Sequence, residues 1–161
     1  MLSAVQAVAM TLIGLVGRPV PAHGSVLSSS LVELVLAMAL LAVSSMTIGL
    51  MISAVVRTSE TTLVLLFISV MLQIVLTGGV IPIAGKVGVE QLAWFSPSRW
   101  GFGAVASTAD LNALQPTQPP DPLWKHDAGT WLLDMGMMLV LAVVYACITY
   151  WLLKRAKPGR R

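Results

Sequence analysis

Residues that could do chemistry are few in this chain, and they are scattered. His23 and His126 are its two histidines and Cys147 its one cysteine. Only "WKHD" (Trp124 to Asp127) sets a histidine beside a carboxylate. Catalysis by such groups requires a nucleophile, a base and an orienting partner to converge. Asp121, His126 and Asp127 are therefore candidates for an outer-loop enzyme site, set against the plainer reading of a solvated loop. "GGVIPIAGKVG" has the glycines and lysine of a phosphate loop but not its spacing. That motif needs four residues between its glycines and Ser or Thr after the lysine. Here five residues separate Gly79 from Gly85, and Val87 follows Lys86. Cys147 lies in an apolar run, so there is neither a disulfide framework nor a thiol metal site.

The elements that would position these residues belong in a membrane. Of the residues, 57% are hydrophobic and 11% are charged, against about 25% charged in soluble domains, and mean hydropathy is +0.85. A spanning helix needs roughly 20 apolar residues. Runs at 31–56, 61–77 and 130–153 qualify, and a shorter run at 1–16 reads as a first span rather than a signal peptide, since it lacks a basic start. The expected fold is all-α and polytopic, with about four spans, an outer loop at 78–129 and a basic tail at 154–161.

The net charge of +3 does not mark a nucleic-acid binder, because half of the 10 Lys and Arg crowd the end of the chain (Lys154, Arg155, Lys157, Arg160, Arg161). Beside an apolar helix, such a cluster reads as a cytoplasmic anchor. The C-terminus is then inside, the turn Arg57–Glu60 is also inside, and 17–30 and 78–129 are outside. Glu33 and Asp134 fall near the N-terminal ends of their helices, where negative charge is favoured, and are expected as interfacial end residues.

The central stretches 35–52, 62–77 and 136–152 hold no Asp, Glu, Lys, Arg or His. Ion-driven carriers and intramembrane proteases normally place such groups there. Two milder patterns occupy the spans. Ser45, Gly49 and Ser53 put small side chains on one helical face, as close helix packing requires. Ser69, Gln73 and Thr77 form a polar stripe that should face protein or a water-filled path rather than lipid.

The outer segment contains "WFSPSRWGF", where Trp94, Pro97, Arg99 and Trp100 stand close together, and later the proline-rich "QPTQPPDP". Tryptophan favours the headgroup layer, and Arg99 could reach phosphates or helix-end carbonyls from there. The stretch is expected to be the bend of a re-entrant or interfacial helical pair, with Pro97 opening the second piece and Gly78 and Gly79 leading into an outer cap. The alternative is a plain aromatic belt.

The order "LTGGVIPI", "VEQLAWFSPSRWGFGAVASTADLN", a Pro-rich loop and a final span with a basic end resembles the C-terminal permease half of type-2 ABC exporters of the ABCG-like group. In detail it is similar to actinobacterial proteins that fuse forkhead-associated and ATP-binding domains to such a permease. The resemblance implies a homodimeric exporter whose ATP and Mg are held on an ATP-binding domain, with no cofactor in this chain. It implies that Ser69, Gln73 and Thr77 line the path, that Arg57 and Glu60 face the ATPase, and that Gly79 and Val80 stand where the family has a bulkier outer plug. The family's first two spans and coupling helix have no counterpart here. A non-transporting membrane scaffold is the rival reading, with the Ser45, Gly49 and Ser53 face as its partner surface.

Overall fold

The structure, a computed structural model, describes residues 2–17, 23–56, 58–117 and 119–156. All regular elements among them are helical: α1 (Leu2–Leu15), α2 (Ser30–Val55), α3 (Ser59–Leu76), α4 (Val89–Ala93), α5 (Pro97–Thr108), α6 (Leu111–Leu114), a short 3-10 turn (Pro122–Trp124) and α7 (Ala128–Ala156). The protein is an all-α, polytopic membrane protein. Among the described residues, two helices are long and apolar enough to cross a bilayer, Ser30–Val55 and Ala128–Arg155, and the runs Val5–Leu15 and Glu60–Leu76 are shorter. The expected inner-turn residue Arg57 and the tail residues Lys157, Arg160 and Arg161 lie outside the described residues, as does Arg18.

Each boundary has a local cause. Pro97 opens α5, where its missing N–H costs nothing and its fixed φ already suits a helix. Asp110 ends α5 by adopting a left-handed φ of 49°, a conformation that Asp tolerates better than most residues. Lys154 and Arg155 occupy the last turn of α7, where positive charge meets the negative end of the helix dipole. Arg155 also lies over the Trp151 ring, 3.4 Å from its centroid.

α5 is a half-length helix wedged between α2 and α7 at the end of the bundle that carries their N-termini, the cap end. The core is built around it: Trp100 and Ala104 of α5 pack with Ala37 of α2 and with Trp131, Met138 and Leu141 of α7. Two glycines permit this wedge. A Cβ on Gly101 would stand 2.8 Å from Leu41, and one on Gly103 would stand 2.8 Å from Asp134. The loop and α4 that precede α5 reach well down the bundle. The Tyr145 hydroxyl donates to the Phe95 carbonyl at 2.5 Å, and at 1.5 Å rise per residue Tyr145 lies roughly 25 Å from the cap end of α7. The aromatic stretch is therefore the elbow of an inserted helical pair rather than a belt on one span.

α3 is the loosest helix. Leu63 and Phe67 are more than three-fifths exposed, whereas Leu66, Ser69 and Gln73 are half-buried against the bundle. Its apolar outer face requires lipid or another helix.

Candidate functional site

The site is the junction where α3 stops and α5 begins. The last turn of α3 tightens, with Thr77 N–H donating to the Ile74 carbonyl at 3.4 Å. A helix end leaves carbonyls without intrahelical partners, and α5 supplies two of them. Ser98 Oγ donates to the Gln73 carbonyl at 2.8 Å, and Arg99 Nη1 donates to the Thr77 carbonyl at 3.0 Å. Because Ser98 gives its only hydroxyl proton to Gln73, Ser96 Oγ must donate in the 2.7 Å contact between the two serines.

Glycine spacing makes room for the junction. Gly78 has φ +83° and lies directly against Arg99 Nη1, so any side chain there would meet both backbone strain and the guanidinium. A Cβ on Gly79 would come within 2.6 Å of the Phe102 ring, which itself meets Trp124 edge-on with centroids 5.7 Å apart.

The other nitrogen of Arg99 donates to Asp121 Oδ2 at 2.6 Å, with both side chains 3% exposed. Asp121 is held from several sides. Its Oδ1 accepts from Leu123 N at 3.0 Å, and its backbone exchanges bonds with the Asn112 side chain at 3.1 and 3.2 Å. The Pro-rich segment is thereby fastened over the end of α5. Arg99 reaches a helix-end carbonyl and a carboxylate, and not phosphates, because it is buried. Trp100 is 2% exposed, donates from its indole to the Trp94 carbonyl at 2.9 Å and leaves Trp94 and Phe95 as the exposed aromatics of this stretch.

The two acids expected at the interface are fully buried, which corrects that expectation. Glu33 accepts from the backbone N–H groups of Ser25, Val26 and Leu27 at 2.9, 2.5 and 2.6 Å. It also accepts from Thr108 Oγ1 at 3.0 Å. The carboxylate thus folds the chain entering α2 onto the end of α5. Gly24 faces it so closely that a Cβ would stand 2.5 Å away. Asp134 faces Gly103, and neither of its carboxyl oxygens has a hydrogen-bond partner. Spacing near a helix N-terminus could not distinguish these places from the membrane surface, since the covering helix α5 comes from elsewhere in the chain.

Below the junction is a cleft of about 420 Å³ between the far half of α2, α3, Leu92, Phe95 and Tyr145. Ser69 and Gln73 line it among Ile, Leu, Met and Val side chains. A smaller cleft of about 240 Å³ is lined by Ser45, Gln73, Thr77 and Ser98. The Ser69, Gln73 and Thr77 stripe is therefore brought together on the bundle side of α3. Thr77 Oγ1 itself is turned back to the Ile74 carbonyl at 2.8 Å. The Ser45, Gly49 and Ser53 face does not form a tight seam. The nearest atom to a Cβ on Gly49 would be Leu66 Cδ2 at 4.0 Å, and Ser53 is exposed. Close packing of α2 instead uses Ser44, whose hydroxyl reaches the Leu40 and Met138 carbonyls at 2.9 and 3.2 Å.

The three candidate enzyme residues have separate duties. Asp121 pairs with Arg99, and Asp127 accepts from Gly129 N at 3.0 Å. His126 Nδ1 lies 2.8 Å from the Ser107 carbonyl. A carbonyl only accepts, so that nitrogen carries the hydrogen and cannot serve as base to Ser25 Oγ, 3.2 Å away. Glu60, in the first turn of α3, is exposed.

A helical pair inserted into the bundle at one end of a cleft fits a permease, and the comparisons decide the family. Residues 1–109 match the ABC-2 type transporter family. The chain belongs to that family. It is also 40% identical over 153 residues to an ABC transporter ATP-binding/permease protein of Mycobacterium tuberculosis. That alignment covers 93% of this chain and 18% of the relative. No solved structure matches. The chain is thus the membrane-spanning, permease part of an ABC transporter. Sequence reasoning missed Ser98 at the junction, Asn112 beside Asp121, Thr108 on Glu33 and Tyr145 on Phe95. A serine one residue past Pro97 in a buried helix was the one signal of a donor at the start of α5.

Proposed function

We propose that this chain forms part of the translocation path and the outer cap of an ATP-driven exporter in the bacterial plasma membrane. The observation that carries the reading is the cleft of about 420 Å³ lined by Ser69 and Gln73 in a chain of the ABC-2 family. Its volume is in the range that encloses small amphipathic molecules. The cap of α4, α5 and the fastened Pro-rich segment closes its outer side.

ATP and Mg act on an ATP-binding domain, and the relative's fusion of ATP-binding and permease functions in one protein supports such a partner. The turn containing Arg57 and Glu60 meets that domain, and the basic end of α7 is cytoplasmic. A second copy and the lipid bilayer cover the exposed apolar face of α3. The relative is far longer than this chain, and the proposal concerns the complete transporter.

The test uses inside-out membrane vesicles containing the intact protein and a neutral fluorescent lipid analogue as probe. ATP-dependent accumulation is expected, and Gln73→Leu should lower it while membrane abundance stays the same. Accumulation that ignores ATP, or that is equal in Gln73→Leu, removes the exporter reading or the path role of Gln73 respectively.

A further inference from the structure

We infer that Ser98 and Arg99 are positioning residues for the lining stripe of α3, so that the last turn of α3 and the cap move as one body. The inference deepens the proposed function and rests on α3 lining a path.

The geometry is specific to one turn. The tightened bond from Thr77 N–H to Ile74 takes the place of the regular bond to Gln73, and Ser98 Oγ occupies the Gln73 carbonyl instead. That carbonyl belongs to the same residue whose side chain lines both clefts. Arg99 holds the Thr77 carbonyl with one nitrogen and Asp121 with the other. A guanidinium offers rigidly spaced donors, which an ammonium cannot reproduce. A displacement of α3 must therefore break these two part-buried bonds or carry α5 with it. The first course gives up two hydrogen bonds, one of them from a charged donor, which is costly.

Ser98→Ala removes one donor with little change of shape, and Ser98→Thr restores it. Hydrogen–deuterium exchange followed by mass analysis on the intact protein in lipid nanodiscs reads the consequence. In Ser98→Ala, amides of 73–79 should exchange roughly fivefold faster, the factor for loss of one net hydrogen bond. Peptides covering α5 and α7 should be unchanged, and Ser98→Thr should match the native protein. Unchanged exchange at 73–79 overturns the inference. Loosening of α5 and α7 to the same degree overturns it too, because Ser98 would then be a general stabiliser.

Addition of ATP separates the two layers of the proposal. An ATP response shared by 73–79 and α5 in the native protein, and confined to one of them in Ser98→Ala, supports the coupling. A response that remains shared in Ser98→Ala overturns it. If the native protein shows no ATP response at all, the exporter reading falls, while the junction stands on the first comparison.

Discussion

At the scale of single residues, the most consequential pair is Arg99 and Asp121, each 3% exposed. Removing one member of a buried ion pair strands the other charge and typically costs about 3–5 kcal/mol, whereas removing both costs much less. Arg99→Met is therefore expected to destabilise the detergent-solubilised protein by roughly that amount. Arg99→Met combined with Asp121→Asn should recover a large part of the loss. Thermal unfolding of the single and double variants measures both, and equal loss in the two would mean that Asp121 is not stranded. This pair was not legible in the sequence. Its members are 22 positions apart, and Asp121 sits in a proline-rich stretch that gives no periodic signal. Glu33 and Thr108 are separated by 75 positions, so the burial of Glu33 was equally hidden. What the sequence did carry was the demand of Arg99 for an acceptor inside an aromatic, apolar setting, and a helix-end carbonyl is one of the two it finds.

At the scale of elements, helix spans were legible because each is a long apolar run, and Pro97 marked the start of α5 by its own backbone chemistry. Which glycines are tight was not legible, since small residues at four-residue spacing look alike whether or not a helix is pressed against them. The structure separates them. Gly101 has no room for a Cβ beside Leu41, while Gly49 has 4.0 Å to its nearest neighbour. Gly101→Ala should overpack the core and cost about 1–3 kcal/mol. Gly49→Ala should be neutral or stabilising by up to about 1 kcal/mol, because alanine is the better helix former. Comparing the two unfolding midpoints checks the assignment. A larger loss in Gly49→Ala would place the close-packed face of α2 where the sequence pattern first suggested it. Glu33 acts at the same scale, tying residues 25–27 to α5. Glu33→Gln keeps an acceptor but loses the charge, and charge-assisted bonds contribute about 1.5–3 kcal/mol. Faster proteolysis between residues 23 and 30 is the expected result, and native resistance would show that the cradle does not hold that segment.

At the scale of the whole molecule, orientation follows from where charge can reside. α2 and α7 start together at the cap end, and α7 finishes with Lys154 and Arg155 in its last turn. Basic residues within reach of a span end are retained on the cytoplasmic side, so the cap end should face outward with the Pro-rich segment and α6. Leu114 in α6 is 67% exposed, and Thr58 at the opposite end of α3 is exposed as well. Cys147, which is exposed, would confuse a thiol assay and is first replaced by alanine. In that background, a membrane-impermeant maleimide should label Leu114→Cys in intact cells and Thr58→Cys only after permeabilisation. The reverse pattern would invert the molecule, putting the cap inside and the α2–α3 turn beyond reach of an ATP-binding domain. Labelling of both positions in intact cells would mean that α3 does not separate two compartments. Its 18-residue length makes that a real test: at 1.5 Å per residue α3 extends about 27 Å, slightly less than the roughly 30 Å of hydrocarbon it must cross. The inserted pair α4 and α5 resolves the shortfall, because the junction at Gln73 and Thr77 hands the remaining depth to a second helix.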